Sequence, residues 1–111
     1  ENYVEIYEGD GYKRDTSYHQ GITWPWLLGL YYNSLKNIIK NSKNKKQKVE
    51  LEEKLEKFRA QIYKTFKNEL NDNGCIGSIA ELYDSVKPNL PKGAIAQGWS
   101  VAEVFRIILG K

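Results

Sequence analysis

Residues 47–72 read QKVELEEKLEKFRAQIYKTFKNELND, and their periodicity decides the fold class. Leu51, Leu55, Phe58, Ile62, Phe66 and Leu70 recur at steps of four, three, four, four and four. That spacing puts them on one stripe of an α-helix. Glu52, Glu53, Lys54, Glu56, Lys57, Lys64 and Lys67 populate the opposite side, so the helix has one buried face and one wet face. Asn73-Gly74 is a C-terminal stop signal.

Upstream, Thr23-Trp24-Pro25 reads as a second helix start, with Thr23 as N-cap and Pro25 in the first turn, where its missing N–H costs nothing. This helix is predicted to run to about Asn41. Trp24, Leu27, Leu28, Tyr31, Leu35, Ile38 and Ile39 follow helical spacing, and Trp26, Leu30 and Tyr32 add apolar bulk on another side. A helix apolar on most of its surface packs on several sides. Downstream, residues 94–109 predict a third helix, with Ala94, Ala96 and Gly98 allowing close backbone approach at its start. Residues 75–93 carry Gly77, Pro88, Pro91 and Gly93 and read as loop, with one short helical turn at 78–83. Residues 1–8 alternate weakly and predict one short strand, and 12–22 read as irregular. The class is all-α: about three main helices plus structured loops.

The chain has 111 residues, 41% hydrophobic and 28% charged, which fits one small folded unit. It begins at Glu1 and contains no Met, so residues 1–111 are expected to be an incomplete domain. Two helices apolar on more than one side leave more apolar surface than three helices can cover. The surplus would be met by further helices upstream or by self-association.

The net charge of +3 is unevenly placed, with Lys36, Lys40, Lys43, Lys45, Lys46 and Lys48 in one run and no acid between Asp15 and Glu50. Lys suits helix ends, and the run lacks the Arg and aromatics that nucleic-acid stacking uses, so it reads as a solvated loop; no nucleic-acid partner is expected. Cys75 is the only cysteine and His19 the only histidine. No internal disulfide can form, a reducing, cytoplasmic setting fits, and neither a metal nor another cofactor is expected from this chain. No apolar run has the length of a membrane span.

Two stretches carry chemistry. YHQGITWPW (18–26) combines His19, Gln20, Trp24 and Trp26 with Tyr18, close to Arg14 and Asp15. Flat apolar rings beside donors and acceptors suit a sugar, which has an apolar face and a hydroxyl rim. The same residues also serve as helix caps and core, and composition leaves both readings open. In the second stretch, Glu81 and Asp84 lie three apart and would share one face of a helical turn. A carboxylate pair can carry out acid–base work, although surface carboxylates at that spacing are common. Glu103 and Arg106 read as an internal i,i+3 pair.

RDTSYHQGITWPWLLG (14–29) and GCIGSIAELYDSVKPNLPKGAIAQGWSVAEVFR (74–106), in this order and with a helix between them, closely resemble the C-terminal end of glycogen debranching enzymes, in the amylo-1,6-glucosidase module. The resemblance covers nearly all of the chain past about Gly9. It implies the last few helices of an (α/α)6 toroid, a six-hairpin glycosidase barrel. It also implies hydrolysis, with inversion, of the α-1,6-linked glucose stub at a trimmed branch of glycogen or a like branched glucan. The family's glutamate in G-x-I-x-E-[IL]-[FY]-D falls at Glu81, which implies the general base. The acid partner would be an aspartate upstream, so the chain alone is expected to be inactive. The resemblance further implies that Tyr18, His19, Gln20 and Trp24 line the sugar pocket, that Trp26 is core, and that Trp99 packs. Where the family often has Asp-Gly and AQAW, this chain has Asp84-Ser85 and Gly98. Alternatives are a non-catalytic helical carbohydrate-binding or scaffold segment, and another (α/α)6 glycosidase.

Overall fold

The computed structural model describes residues 2–111. The elements in chain order are α1 (Gly11–Ser17), α2 (Leu27–Asn41), α3 (Lys45–Asp72), β1 (Leu82–Tyr83), β2 (Pro91–Lys92) and α4 (Gly98–Ile108). The mostly helical character predicted from periodicity holds, and α2, α3 and α4 pack against one another pairwise.

Helix α3 follows its stripe. Ile62 and Phe66 are buried, and Leu51, Leu55, Phe58 and Leu70 are partly buried. It starts at Lys45, two residues before the expected position, because the Asn44 side chain accepts hydrogen bonds from the Lys46 and Gln47 amides at 3.0 and 3.2 Å. Those amides would otherwise lack partners. Lys43 to Lys48 lie exposed around this cap.

Helix α2 starts later than predicted. Thr23 is not its cap: the Thr23 amide and carbonyl pair with the carbonyl and amide of Tyr83 at 2.9 and 2.8 Å. That pairing needs extended backbone, so Trp24, Pro25 and Trp26 make the turn instead, through bonds from the Leu27, Leu28 and Gly29 amides to the carbonyls three residues earlier. The inward register is Leu28, Tyr32, Leu35 and Ile39, with Tyr32 and Leu35 buried and the other two partly so, while Leu27, Leu30, Tyr31 and Ile38 are exposed. At Gly29 the helix meets α4 so closely that an added Cβ would lie 1.7 Å from Glu103 Oε2. The expected Glu103–Arg106 pair forms there at 2.6 Å.

The close approach expected at the start of the last helix falls in the loop before it, where the backbone of Ala94 and Gln97 bonds that of Glu81 and Ile79, and not on the helix itself. Residues 94–97 precede α4, Ala94 and Ala96 are exposed, and nothing lies within 4 Å of a Cβ on Gly98. Helix α4 buries Ser100, Val104 and Ile107. The core joins Tyr32, Ile62, Phe66, Val104 and Ile107 to Ile79, Ala80 and Tyr83.

Three short segments also differ from expectation. Residues 78–83 form no helical turn. β1 pairs antiparallel with β2, Leu82 opposite Lys92 and Tyr83 opposite Pro91, and two partners for one backbone require extension. Gly11–Ser17, overlapping the stretch 12–22 expected to be irregular, are helical, because Asp10 caps them by accepting from the Lys13 amide at 2.9 Å. Among the described residues, 2–8 belong to no ladder. They lie extended across two loops, tied by Val4 N–H to the Gln20 carbonyl and by Tyr7 N–H to Asp84 Oδ1, at 2.7 and 2.8 Å.

Candidate functional site

The Thr23–Tyr83 pairing does more than delay α2. It lays the 18–24 stretch alongside residues 81–83, so two segments about sixty residues apart form one surface. The loop from α1 folds back on itself: the Gln20 amide bonds the Ser17 carbonyl at 2.9 Å, and Trp24 Nε1 donates to the Tyr18 carbonyl at 3.2 Å.

Glu81 stands where they meet, immediately before β1. The Tyr18 hydroxyl donates to Glu81 Oε1, and the Ala94 amide donates to Oε2 at 3.0 Å. The Glu81 amide in turn donates to the Ala94 carbonyl at 2.8 Å. Gly93 makes this approach possible. Its φ is +68°, and a Cβ there would sit 2.5 Å from Oε2. The Tyr18 phenol is pushed up to about 12, first by burial and then by its bond to the Glu81 carboxylate and the charges of Glu81 and Tyr7.

Around this pair stands an aromatic wall. His19 stacks on Trp24 with centroids 5.4 Å apart and planes 16° apart, and Tyr18 meets Trp24 edge-on at 4.5 Å. His19 is exposed and Trp24 partly buried, so the wall has an outward face. A cleft of about 650 Å³ is lined by Tyr7, Glu8, Arg14, Lys92 and Gly93 among others.

Four of the five residues expected at the site therefore come together: Glu81, Tyr18, His19 and Trp24. Gln20 stands apart, lining a separate groove of about 380 Å³ with Val4, Thr16 and Ser17. Trp26 stacks on Trp99 at 4.3 Å, but Trp26 is only partly buried and lies outside the core cluster, and Trp99 is exposed, so the expected core place of Trp26 does not hold within the described residues. Asp84 does not share a helical face with Glu81, since no helix forms there. It is 3% exposed, accepts from the Tyr7 amide, and lies 3.6 Å from Lys92 Nζ. Its work is to tie the N-terminal segment to the hairpin.

Sequence reasoning missed Glu69. It is buried on α3 and accepts from the Tyr83 hydroxyl at 2.6 Å, and that oxygen itself accepts from the Ala80 amide at 3.2 Å. Burial, then Glu69, raises the Tyr83 phenol. The signal was present: Glu69 lies three residues after Phe66, within the arc of the buried stripe. The Ala94 amide left no such trace, because a backbone donor is set by the fold and not by the side chain.

No group of three or more His, Cys, Asp and Glu side chains is placed to hold a metal among the described residues. None of their helices is long and apolar enough to cross a membrane. What the cluster offers is a carboxylate held at both oxygens beside a stacked aromatic face.

Residues 1–106 match the sequence family described as amylo-alpha-1,6-glucosidase, and the chain belongs to that family. It is thereby related to debranching glycoside hydrolases. No curated protein and no solved structure is significantly similar to the chain.

Proposed function

We propose that this chain supplies the base side of the active site of an inverting α-1,6-glucosidase that removes glucose stubs from branch points of glycogen or a like branched glucan. The observation that carries the reading is the Glu81 carboxylate, held at both oxygens where two motif-bearing segments meet. A base must be oriented before it is useful, and Glu81 is oriented.

In the reaction, a water oxygen attacks C1 of the terminal glucose while its proton passes to Glu81. The bond from C1 to the O6 of the branched residue breaks, and an acid on the opposite face protonates that oxygen. Free β-glucose and an unbranched chain result. The His19–Trp24 stack is suited to lie against the apolar face of the sugar ring. Gln20 has no part in this subsite.

The acid lies outside these residues. Asp84 and Glu69 are buried and engaged by Tyr7, Lys92 and Tyr83, which takes both out of the chemistry. The chain would accordingly form the closing helices of an (α/α)6 toroid, with the remaining helices covering the exposed apolar faces of α2 and α4. Separated from them it would release no glucose and would bury those faces against its own copies. Cys75, a free thiol, suits work in the cytoplasm.

The test is Glu81→Gln in the full-length protein, assayed by glucose release from phosphorylase-trimmed limit dextrin. The expected loss is about 10²–10⁴-fold in kcat, the range for removing a general base, with the circular dichroism spectrum unchanged. Release near the wild-type rate would take Glu81 out of the chemistry.

A further inference from the structure

We propose that Tyr18 acts through Glu81, as a positioning residue, and is not a sugar contact. The inference rests on the reading of Glu81 as the base. A phenol has one proton to donate, and that of Tyr18 goes to Glu81 Oε1. It is therefore not available to a sugar hydroxyl.

The ring is held by its surroundings. Trp24 meets it edge-on at 4.5 Å and 80°, His19 at 4.9 Å and 64°, and Tyr7 lies at 5.8 Å. The Tyr18 carbonyl is tied to Trp24 Nε1 at 3.2 Å. A ring clamped in this way presents its hydroxyl at one point.

The second oxygen of Glu81 takes the Ala94 amide across Gly93. With one donor on each oxygen, the carboxylate plane has a single orientation, and each oxygen keeps a lone pair for water. The stack of His19 on Trp24, by contrast, has no polar bond to Glu81 and remains the sugar platform.

The test uses Tyr18→Phe, Glu81→Gln and the double variant in the full-length protein. The variant Tyr18→Phe keeps the ring and its packing and removes only the donor. Two substrates are assayed: limit dextrin, and α-glucosyl fluoride, whose fluoride leaves without a proton from the acid and so reports on the base side. Tyr18→Phe is expected to lower kcat on both by about 10–100-fold, the worth of one hydrogen bond to a charged group, while KM for the dextrin stays within about twofold. In the Glu81→Gln background the same change should cost nothing further.

A raised KM with unchanged kcat would make Tyr18 a sugar contact and overturn the inference. Additive losses in the double variant would overturn it as well, since they would mean that Tyr18 acts independently of Glu81. Either result leaves the base reading intact if Glu81→Gln alone is impaired. Full activity of Glu81→Gln would instead remove the base reading on which the inference stands.

Discussion

At the scale of single residues, Glu81 and Glu69 are built alike: each is a carboxylate that takes a tyrosine hydroxyl, from Tyr18 and Tyr83 respectively. The Glu69 pair is buried in the core and Glu81 is only partly covered, so the same bond serves packing in one place and, in the proposed function, chemistry in the other. Both phenols are raised, and the sign of the linkage follows. A group that holds its proton more tightly when folded stabilises the fold below its unfolded value, near 10, and that stability is lost as pH rises toward the folded value. For Tyr18 the window is about pH 10 to 12. The 295 nm absorbance difference between wild type and Tyr18→Phe should therefore show a phenolate appearing near pH 12, and the melting temperature of wild type should fall more steeply than that of the variant between pH 10 and 12. A phenolate appearing near pH 10 would contradict the Tyr18–Glu81 bond. The motif residues Tyr18, His19, Trp24 and Glu81 were legible in the sequence as a group. Asp84 was misread because three-residue spacing matters only on a helix, and the chain is extended there.

Among the elements, α3 was the most legible because its six-residue apolar stripe has one face and one solution. Helix α2, apolar all round, was not: its sequence allows several registers, and the contact with α4 at Gly29 selects the one that buries Tyr32 in place of Tyr31. The β1–β2 pairing and the Thr23–Tyr83 bridge were illegible, since two-residue strands carry no alternation and their partners are distant in sequence. Two glycines separate the effects of packing and backbone. Gly29→Ala forces a methyl into the Glu103 carboxylate, which is pinned by Arg106. We expect a net loss of about 1–2 kcal/mol, overpacking outweighing the helix propensity gained. Gly98→Ala, with open space around it, should be stabilising by about 0.5 kcal/mol, and it restores the alanine common in the family. Denaturant melts of the two variants check both signs, and an unaffected or stabilised Gly29→Ala would mean that α2 and α4 do not meet as described.

As a whole, the molecule measures 52 × 35 × 22 Å and leaves Leu27, Leu30, Tyr31 and Ile38 of α2 and Trp99 and Phe105 of α4 uncovered. That surplus was foreseeable from two helices apolar on several sides. What covers it was not, since a sequence displays an apolar face without its partner. In the proposed account, the chain that needs further helices also needs their acid, and completing the barrel would complete the catalytic pair. Inversion is the outcome that ties these statements together, because it requires a base and an acid on opposite faces of the sugar with water between them. The decisive measurement is a proton NMR time course of limit dextrin with the full-length protein, read at the anomeric signals before mutarotation. The account predicts that β-glucose appears first. Glucose appearing first as the α-anomer, or no glucose at all, would contradict it.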